Sequence, residues 1–133
     1  MNKKIIGLSL ILAFIAFVAM HGMTNQQCSQ ENWFQKEFNA SPAAVRSFSI
    51  LTSNYSIICL SNRCNMAKCA ENLNCCMVSN GIYAHQSLDT LVLAKSESQH
   101  QMLQYALDVS TNLSKVDAAR FLTWFSQQTD FRR

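Results

Sequence analysis

Six cysteines stand in this chain of 133 residues, and five of them fall within residues 59–76. The chain begins with Lys3 and Lys4, followed by an apolar run over residues 5–20. A basic start followed by a short apolar stretch is typical of a secretory signal. An exported chain enters an oxidising compartment, where cysteines form disulfides. The strongest constraint on the fold is therefore a predicted set of disulfides.

The predicted organisation is a signal peptide over residues 1–23, followed by one exported helical domain over residues 24–133. Cleavage after Gly22 or Thr24 is expected, although neither position follows the usual small-x-small pattern. The alternative is an uncleaved anchor, with residues 5–20 in the inner membrane, although a spanning helix needs about 20 residues. Both organisations place residues 24–133 outside the cytoplasm, either secreted or in the periplasm.

Disulfides are favoured over a metal site because the cysteine spacing lacks the paired C-x2-C or Cys/His layout that zinc requires. Steps of five residues on a helix rotate the side chain by about 140° beyond a full turn, so one helix face would not collect the thiols. No C-x-x-C redox motif is present. Cys28 is predicted to bridge to the segment 59–76, and twelve connectivities stay open. The predicted disulfide set is Cys28, Cys59, Cys64, Cys69, Cys75 and Cys76.

Three Gly and one Pro in the whole chain favour helices over a many-turned β-sandwich. The predicted fold class is mainly α: a small disulfide-stapled domain of about four to five helices that ends in an αα-hairpin. Ser41-Pro42 predicts a helix start. Residues 55–60 fit either helix or strand. Residues 59–76 are predicted to form turns and short helical pieces, because four Asn lie among the cysteines.

The end of the chain carries the clearest helix signals. Residues 97–113 hold an amphipathic stripe, and Ser114 with Asp117 forms a capping-box-like start for a last helix. A tight turn between these helices predicts the αα-hairpin. Six aromatic side chains from the two ends of the domain are expected to pack together in the core: Trp33, Phe34, Phe38, Phe121, Trp124 and Phe125.

The alternative use of these aromatics is a patch exposed to a protein partner. Arg120 and Trp124 lie four residues apart on the last helix, so one face presents both side chains, and Trp and Arg are frequent binding hot spots. They are the predicted partner-binding residues.

No catalytic, cofactor or metal site is expected. His85 and Asp89 lie one helical turn apart, which indicates a solvated surface pair, and no G-x-S-x-G motif positions a serine nucleophile. Methionines near the start invite a Cu(I) interpretation, but Met20 belongs to the apolar run. Asn54 and Asn112 head glycosylation sequons, which matter only in a eukaryotic source.

The net charge of the chain is +3, and without Lys3 and Lys4 it falls to +1. Such a weak field gives no reason to expect nucleic acid as a partner. We expect an exported, non-enzymatic module that binds an unidentified protein of the envelope or extracellular space, of inhibitor, immunity or adaptor type. The alternatives are a carrier of a small apolar ligand or lipid, and a bitopic component of an envelope assembly that meets the membrane through residues 5–20.

Overall fold

The computed structural model describes residues 25–79 and 81–129, with side chains from Cys28 onward. The predicted signal over residues 1–23 lies outside this range. Within it the chain is helical, without strands, and its four helices confirm the mainly-α prediction. These are α1 (Asn25–Phe38), α2 (Pro42–Val78), α3 (Ala84–Ser110) and α4 (Lys115–Gln128).

The first two helices are separated by a tight turn with the expected chemistry. Asn39 adopts a left-handed backbone with φ of 47°, which ends α1. Ser41 then caps α2, because its Oγ accepts a hydrogen bond from the Ala44 N–H at 3.2 Å, and Pro42 occupies the first turn. The predicted helix start is confirmed.

The prediction of turns over residues 59–76 is wrong, because the whole segment lies inside the single helix α2. Residues 55–60 are helical as well. Asn and Cys cost only a fraction of a kcal/mol each in a helix interior relative to Ala. Packing of residues 52–76 of α2 against α3 outweighs this small local cost.

The predicted αα-hairpin at the end of the chain is confirmed, although its first helix begins at Ala84, well before residue 97. Ser114 caps α4: its Oγ accepts from the Asp117 N–H at 3.2 Å and donates to the Asp117 carboxylate at 2.7 Å. The other turn, between α2 and α3, contains Gly81 with φ of +70°, a conformation that glycine adopts without strain.

The hydrophobic core occupies one end of the molecule, where all four helices meet. Phe34 and Phe38 from α1 pack against Phe48 of α2 and Phe121 of α4. The expected packing of the two aromatic groups on each other is thus observed, with Trp33 lying 5.0 Å from Trp124 between ring centroids. Beyond this end, α2 and α3 continue as a two-helix hairpin.

Among residues 25–79 and 81–129, no helix combines the length and apolar character needed to cross a membrane.

Candidate functional site: the bare end of the helical hairpin

The contact between α2 and α3 is a coiled-coil seam. Its residues follow one another at alternating steps of three and four, which is the heptad spacing of side chains that meet a partner helix. All of them are partly or fully buried. On α2 they are Thr52, Tyr55, Cys59, Asn62, Met66, Cys69, Leu73 and Cys76, and on α3 they are Ala84, Ser87, Leu91, Ala94, Ser98, Gln101, Tyr105 and Asp108.

Polar contacts cross the seam at three levels. Thr52 Oγ1 and Tyr105 Oη lie 2.8 Å apart, and the Asn62 amide donates to Gln101 Oε1 at 2.6 Å. Nearer the tip, Cys76 Sγ lies 3.3 Å from Ser87 Oγ. Because buried or half-buried polar groups need their partners, these pairs fix the antiparallel register of the two helices.

Two tyrosines stack where the seam enters the core. The rings of Tyr55 and Tyr105 are nearly parallel, with 4.5 Å between centroids. Burial raises the pKa of Tyr105 to about 12, against a smaller opposing effect of its hydrogen bond to Thr52. The pKa of Tyr55 is raised as well, first by burial and then by the hydrogen bond and repulsion from Cys59. Both phenols therefore stay neutral at physiological pH.

The six cysteines are free thiols in this structure, and no two of them lie at disulfide distance, so the disulfide staple stays a prediction. Five of them lie on α2, where a step of five residues already separates two Cα atoms by about 7.5 Å along the axis. A disulfide tolerates at most about 6.8 Å between Cα atoms, so these non-adjacent cysteines of one straight helix do not pair. No cysteine follows Cys76 in the sequence.

The cysteines divide into two classes by position. Cys59, Cys69 and Cys76 belong to the seam, where a free cysteine behaves as a small apolar residue. Cys28, Cys64 and Cys75 are exposed to solvent.

One face of α3 changes from core to bare surface along its length. Val109, only 1% exposed, and Ala106 pack in the aromatic core. At steps of three and four residues toward the tip, the same face presents Met102, Gln99 and Lys95. It then presents two exposed apolar side chains near the tip. These are Val92, which is 57% exposed, and Leu88.

The adjoining face of α2 shows the same change. Ser56 is buried, with its hydroxyl donating to the Thr52 carbonyl, and Leu60 is half-buried. Further steps of three and four lead to Arg63, Ala67 and Ala70 and then, beyond the polar Asn74, to Met77, all of them exposed. We call this region the bare face; it consists of Leu60, Arg63, Ala67, Ala70 and Met77 on α2 with Leu88, Val92, Lys95, Gln99 and Met102 on α3.

The bare face continues, along both helices of the hairpin, the residues that are buried next to the aromatic core: Ser56 on α2 and Ala106 and Val109 on α3. Over these ten side chains it carries two cations, Arg63 and Lys95, and no anion. An exposed apolar strip with basic side chains is the arrangement that receives an amphipathic helix with acidic flanks.

The predicted partner-binding pair lies elsewhere, in a groove between α1 and α4. Arg120 and Trp124 line it together with Glu37, Phe38 and Thr123, and its volume is about 420 Å³. Trp124 is engaged in the aromatic core, and Arg120 forms an ion pair with Asp117 at 3.2 Å. Most of the Trp124 surface that a hot spot would offer is therefore already used.

The other candidate residues remain apart. His85 and Asp89 are both exposed on α3 near the tip. Among the described residues no three His, Cys, Asp or Glu side chains come together as a metal site. Asn54 is exposed on α2, and Asn112 is exposed in the turn that precedes α4.

Sequence reasoning missed the seam and the bare face. The signal was present, since residues 52–76 and 84–108 follow the heptad spacing throughout. It was hidden because Cys, Asn, Ser and Gln occupy seam positions that Leu or Ile usually fill.

No protein-family model, curated protein or solved structure matches this chain.

Proposed function

We propose that this chain is an exported, non-catalytic helical module that binds a protein partner, of inhibitor, immunity or adaptor type, through its bare face. The observation that carries the proposal is the continuation of one buried helix face into exposed Leu88 and Val92. Apolar side chains left in line with a packed core mark an interaction surface. Export is supported by the basic and apolar start of the chain at residues 1–23.

The chemistry of the bare face defines the partner. From Arg63 to Met77 the exposed stretch of α2 spans about 21 Å at 1.5 Å per residue, enough for a docked helix of roughly 14 residues. That helix would place apolar side chains against Val92 and Ala70 and acidic side chains near Arg63 and Lys95. We therefore propose an amphipathic helix with acidic flanks as the bound element.

Only the exposed cysteines are proposed to form disulfides. In the fold described, the seam cysteines are occupied in packing, and the exposed thiols of Cys28, Cys64 and Cys75 are the ones that oxidise after export. A bridge from these thiols is expected to join molecules rather than to staple one domain.

Site-specific photo-crosslinking in the native host tests the proposal. A photoreactive amino acid at Val92 should yield an adduct with another protein, and the same group at Val116, an even more exposed valine on α4, should not. Charge reversal by Lys95→Glu should abolish the adduct, whereas Lys115→Glu, a matched change on α4, should leave it intact.

Other outcomes decide against this surface. Adducts formed equally from Val92 and Val116 would indicate nonspecific contact. An adduct formed only from a photoreactive group at Arg120 would move the partner site to the groove between α1 and α4. A lipid or small apolar molecule bound stoichiometrically to the purified protein, with no protein adduct, would favour the carrier.

A further inference from the structure

A second exposed strip runs along the outermost side of α2. Steps of seven residues connect its members, so all occupy the same heptad position. Three of them are strongly exposed apolar side chains: Ile50 at 63%, Ile57 at 68% and Val78 at 89%. We call this strip the outer ridge; it consists of Ile50, Ile57, Cys64, Glu71 and Val78.

The outer ridge faces away from the rest of the molecule. Cys64 lies two residues from Asn62 and two from Met66, both of which point into the seam with α3. A step of two residues turns the helix by about 200°, so the ridge points opposite to the seam. An outward heptad position in a helical hairpin is normally polar, and apolar residues there form a second seam without a partner.

The thiol at the centre of the ridge also lacks a partner within the molecule. Cys64 is exposed and free. Its nearest cysteines on α2, Cys59 and Cys69, are each displaced by about 7.5 Å along the axis and rotated by about 140°. Cys64 is the midpoint of the ridge, with Ile50 and Val78 at equal distances on either side.

We propose that two copies of this chain associate through the outer ridge, antiparallel about a two-fold axis at Cys64, with the two Cys64 thiols facing each other. The placement of Cys64 makes the ridge match itself under this axis, since Ile50 of one copy meets Val78 of the other and Ile57 meets Glu71, whose carboxylate reaches past it to solvent. A two-fold contact requires such a self-matching surface. The axis also supplies Cys64 with the thiol that its own chain does not offer.

Charge selects the antiparallel arrangement over the parallel one. A parallel contact would set Lys68 against Lys68 and Glu71 against Glu71 of the second copy, and like charges in opposition destabilise a helix pair. About the two-fold axis at Cys64, the two Lys68 side chains are separated by about 12 Å and the two Glu71 side chains by about 21 Å along the helix.

The second copy belongs on the ridge and not on the bare face. Two bare faces in contact would bring Arg63 and Lys95 of both copies together with no acid between them. The dimer and the proposed partner therefore use different surfaces. A test of the dimer does not depend on whether the proposed function is correct.

Oxidation of the facing thiols would link the copies covalently. Two Cys64 thiols and one disulfide reagent give one Cys64–Cys64 disulfide and two reagent thiols, so the reagent takes up both electrons and both protons. Oxidised glutathione is the reagent in the test, and a disulfide-donating oxidoreductase of the export compartment takes that role in the cell.

The first experiment uses the protein purified from its export compartment and treated with oxidised glutathione. Wild type and Cys75→Ser should form a covalent dimer, whereas Cys64→Ser should not. Cys75 is the matched control because it is also exposed on the back of α2, yet the two-fold axis separates its two copies by about 33 Å. A dimer that persists in Cys64→Ser, or that Cys75→Ser abolishes, overturns the proposed axis.

The second experiment removes the thiol chemistry. Under the proposed axis Ile57 meets Glu71 of the other copy, so Ile57→Glu sets like charges against each other. Under reducing conditions, light scattering should give the mass of two chains for wild type and for Val116→Glu, and of one chain for Ile57→Glu. Both substitutions add charge at an exposed side chain, so the fold is retained in each and circular dichroism verifies it. A wild-type protein of one-chain mass, or a dimer that survives Ile57→Glu, overturns the proposal, whether or not Val92 captures a partner.

Discussion

The rings of Phe34 and Phe48 lie parallel, 4.0 Å apart between centroids with 4° between their planes, and both side chains are buried. This stack joins α1 to α2 at the centre of the core. Replacement Phe48→Ala removes one ring and leaves a cavity against the other, so we expect a loss of about 3–5 kcal/mol in the free energy of unfolding. Urea denaturation followed by circular dichroism measures it.

The matched control for the stack is Val116→Ala, an exposed position on α4. We expect it to change the free energy of unfolding by less than about 0.5 kcal/mol. Similar losses for the two variants would mean that the aromatic stack does not lie in a stable core.

Replacing the polar pair of Asn62 and Gln101 should raise the free energy of unfolding instead of lowering it. Replacing both by Leu turns a polar level of the seam into an apolar one, so the double variant should be more stable by about 1–2 kcal/mol. Asn62→Leu alone leaves the Gln101 amide without its partner and should gain less. A double-mutant cycle of thermal unfolding measures the difference, and simple additivity of the two single changes would contradict the hydrogen-bonded contact.

Native-state alkylation separates the two classes of cysteine. Cys28, Cys64 and Cys75 should react first with a small thiol reagent, because their side chains are exposed, and Cys69 should react last. Timed quenching and peptide mass spectrometry give the order for each residue in the reduced protein. Uniform rates at all six positions would contradict the burial of the seam.

Alkaline pH should destabilise the protein through its stacked tyrosines. The pKa of Tyr105 is raised to about 12 by burial, whereas an unfolded chain releases this proton near pH 10. Between these values the unfolded state binds fewer protons, so the free energy of unfolding falls as the pH rises. The contribution is complete below about pH 10 and is lost toward pH 12.

Melting temperatures measured at a series of pH values test this slope. Tyr105→Phe cannot ionise and should show a shallower decline above pH 10 than wild type, although it lacks the hydrogen bond to Thr52. An identical decline in the two proteins would exclude Tyr105 as its source.

The helix start at Ser114 offers a local measure of stability. Its hydroxyl satisfies the Asp117 N–H at 3.2 Å, so Ser114→Ala should cost about 1 kcal/mol. Ser126→Ala removes an exposed hydroxyl inside the same helix and serves as the control in the same urea titration. Equal effects would indicate that the cap contributes nothing beyond helix propensity.

The sequence predicted the ends of the fold better than its middle. Ser41-Pro42 and Ser114 specify helix starts through local hydrogen bonds, which depend on neighbouring residues alone. The aromatic core also followed from residue type, since Phe34 and Phe121 are too large and apolar to remain in solvent. These features were predictable because each rests on one strong, short-range effect.

The long helices could not be recognised from composition. Asn62, Cys69 and Ser98 favour neither helix nor strand by themselves, and they become seam residues only when the partner helix is present. The bare face escaped prediction for the same reason, because whether another helix covers Leu88 and Val92 depends on how the helices pack. Packing between helices decided both features.

Because the core lies at one end of the molecule, the amide hydrogens of α2 should exchange with solvent at different rates at its two ends. Amide hydrogens around Phe48 are held by four helices and exchange with solvent only when the whole molecule opens. The helix around Ala70 packs against only one neighbouring helix. The tip should therefore unfold locally and refold many times before the core unfolds once. A ligand that suppresses local unfolding at the tip would leave the core unaltered. Its binding would be detected first as slower amide hydrogen exchange near Ala70.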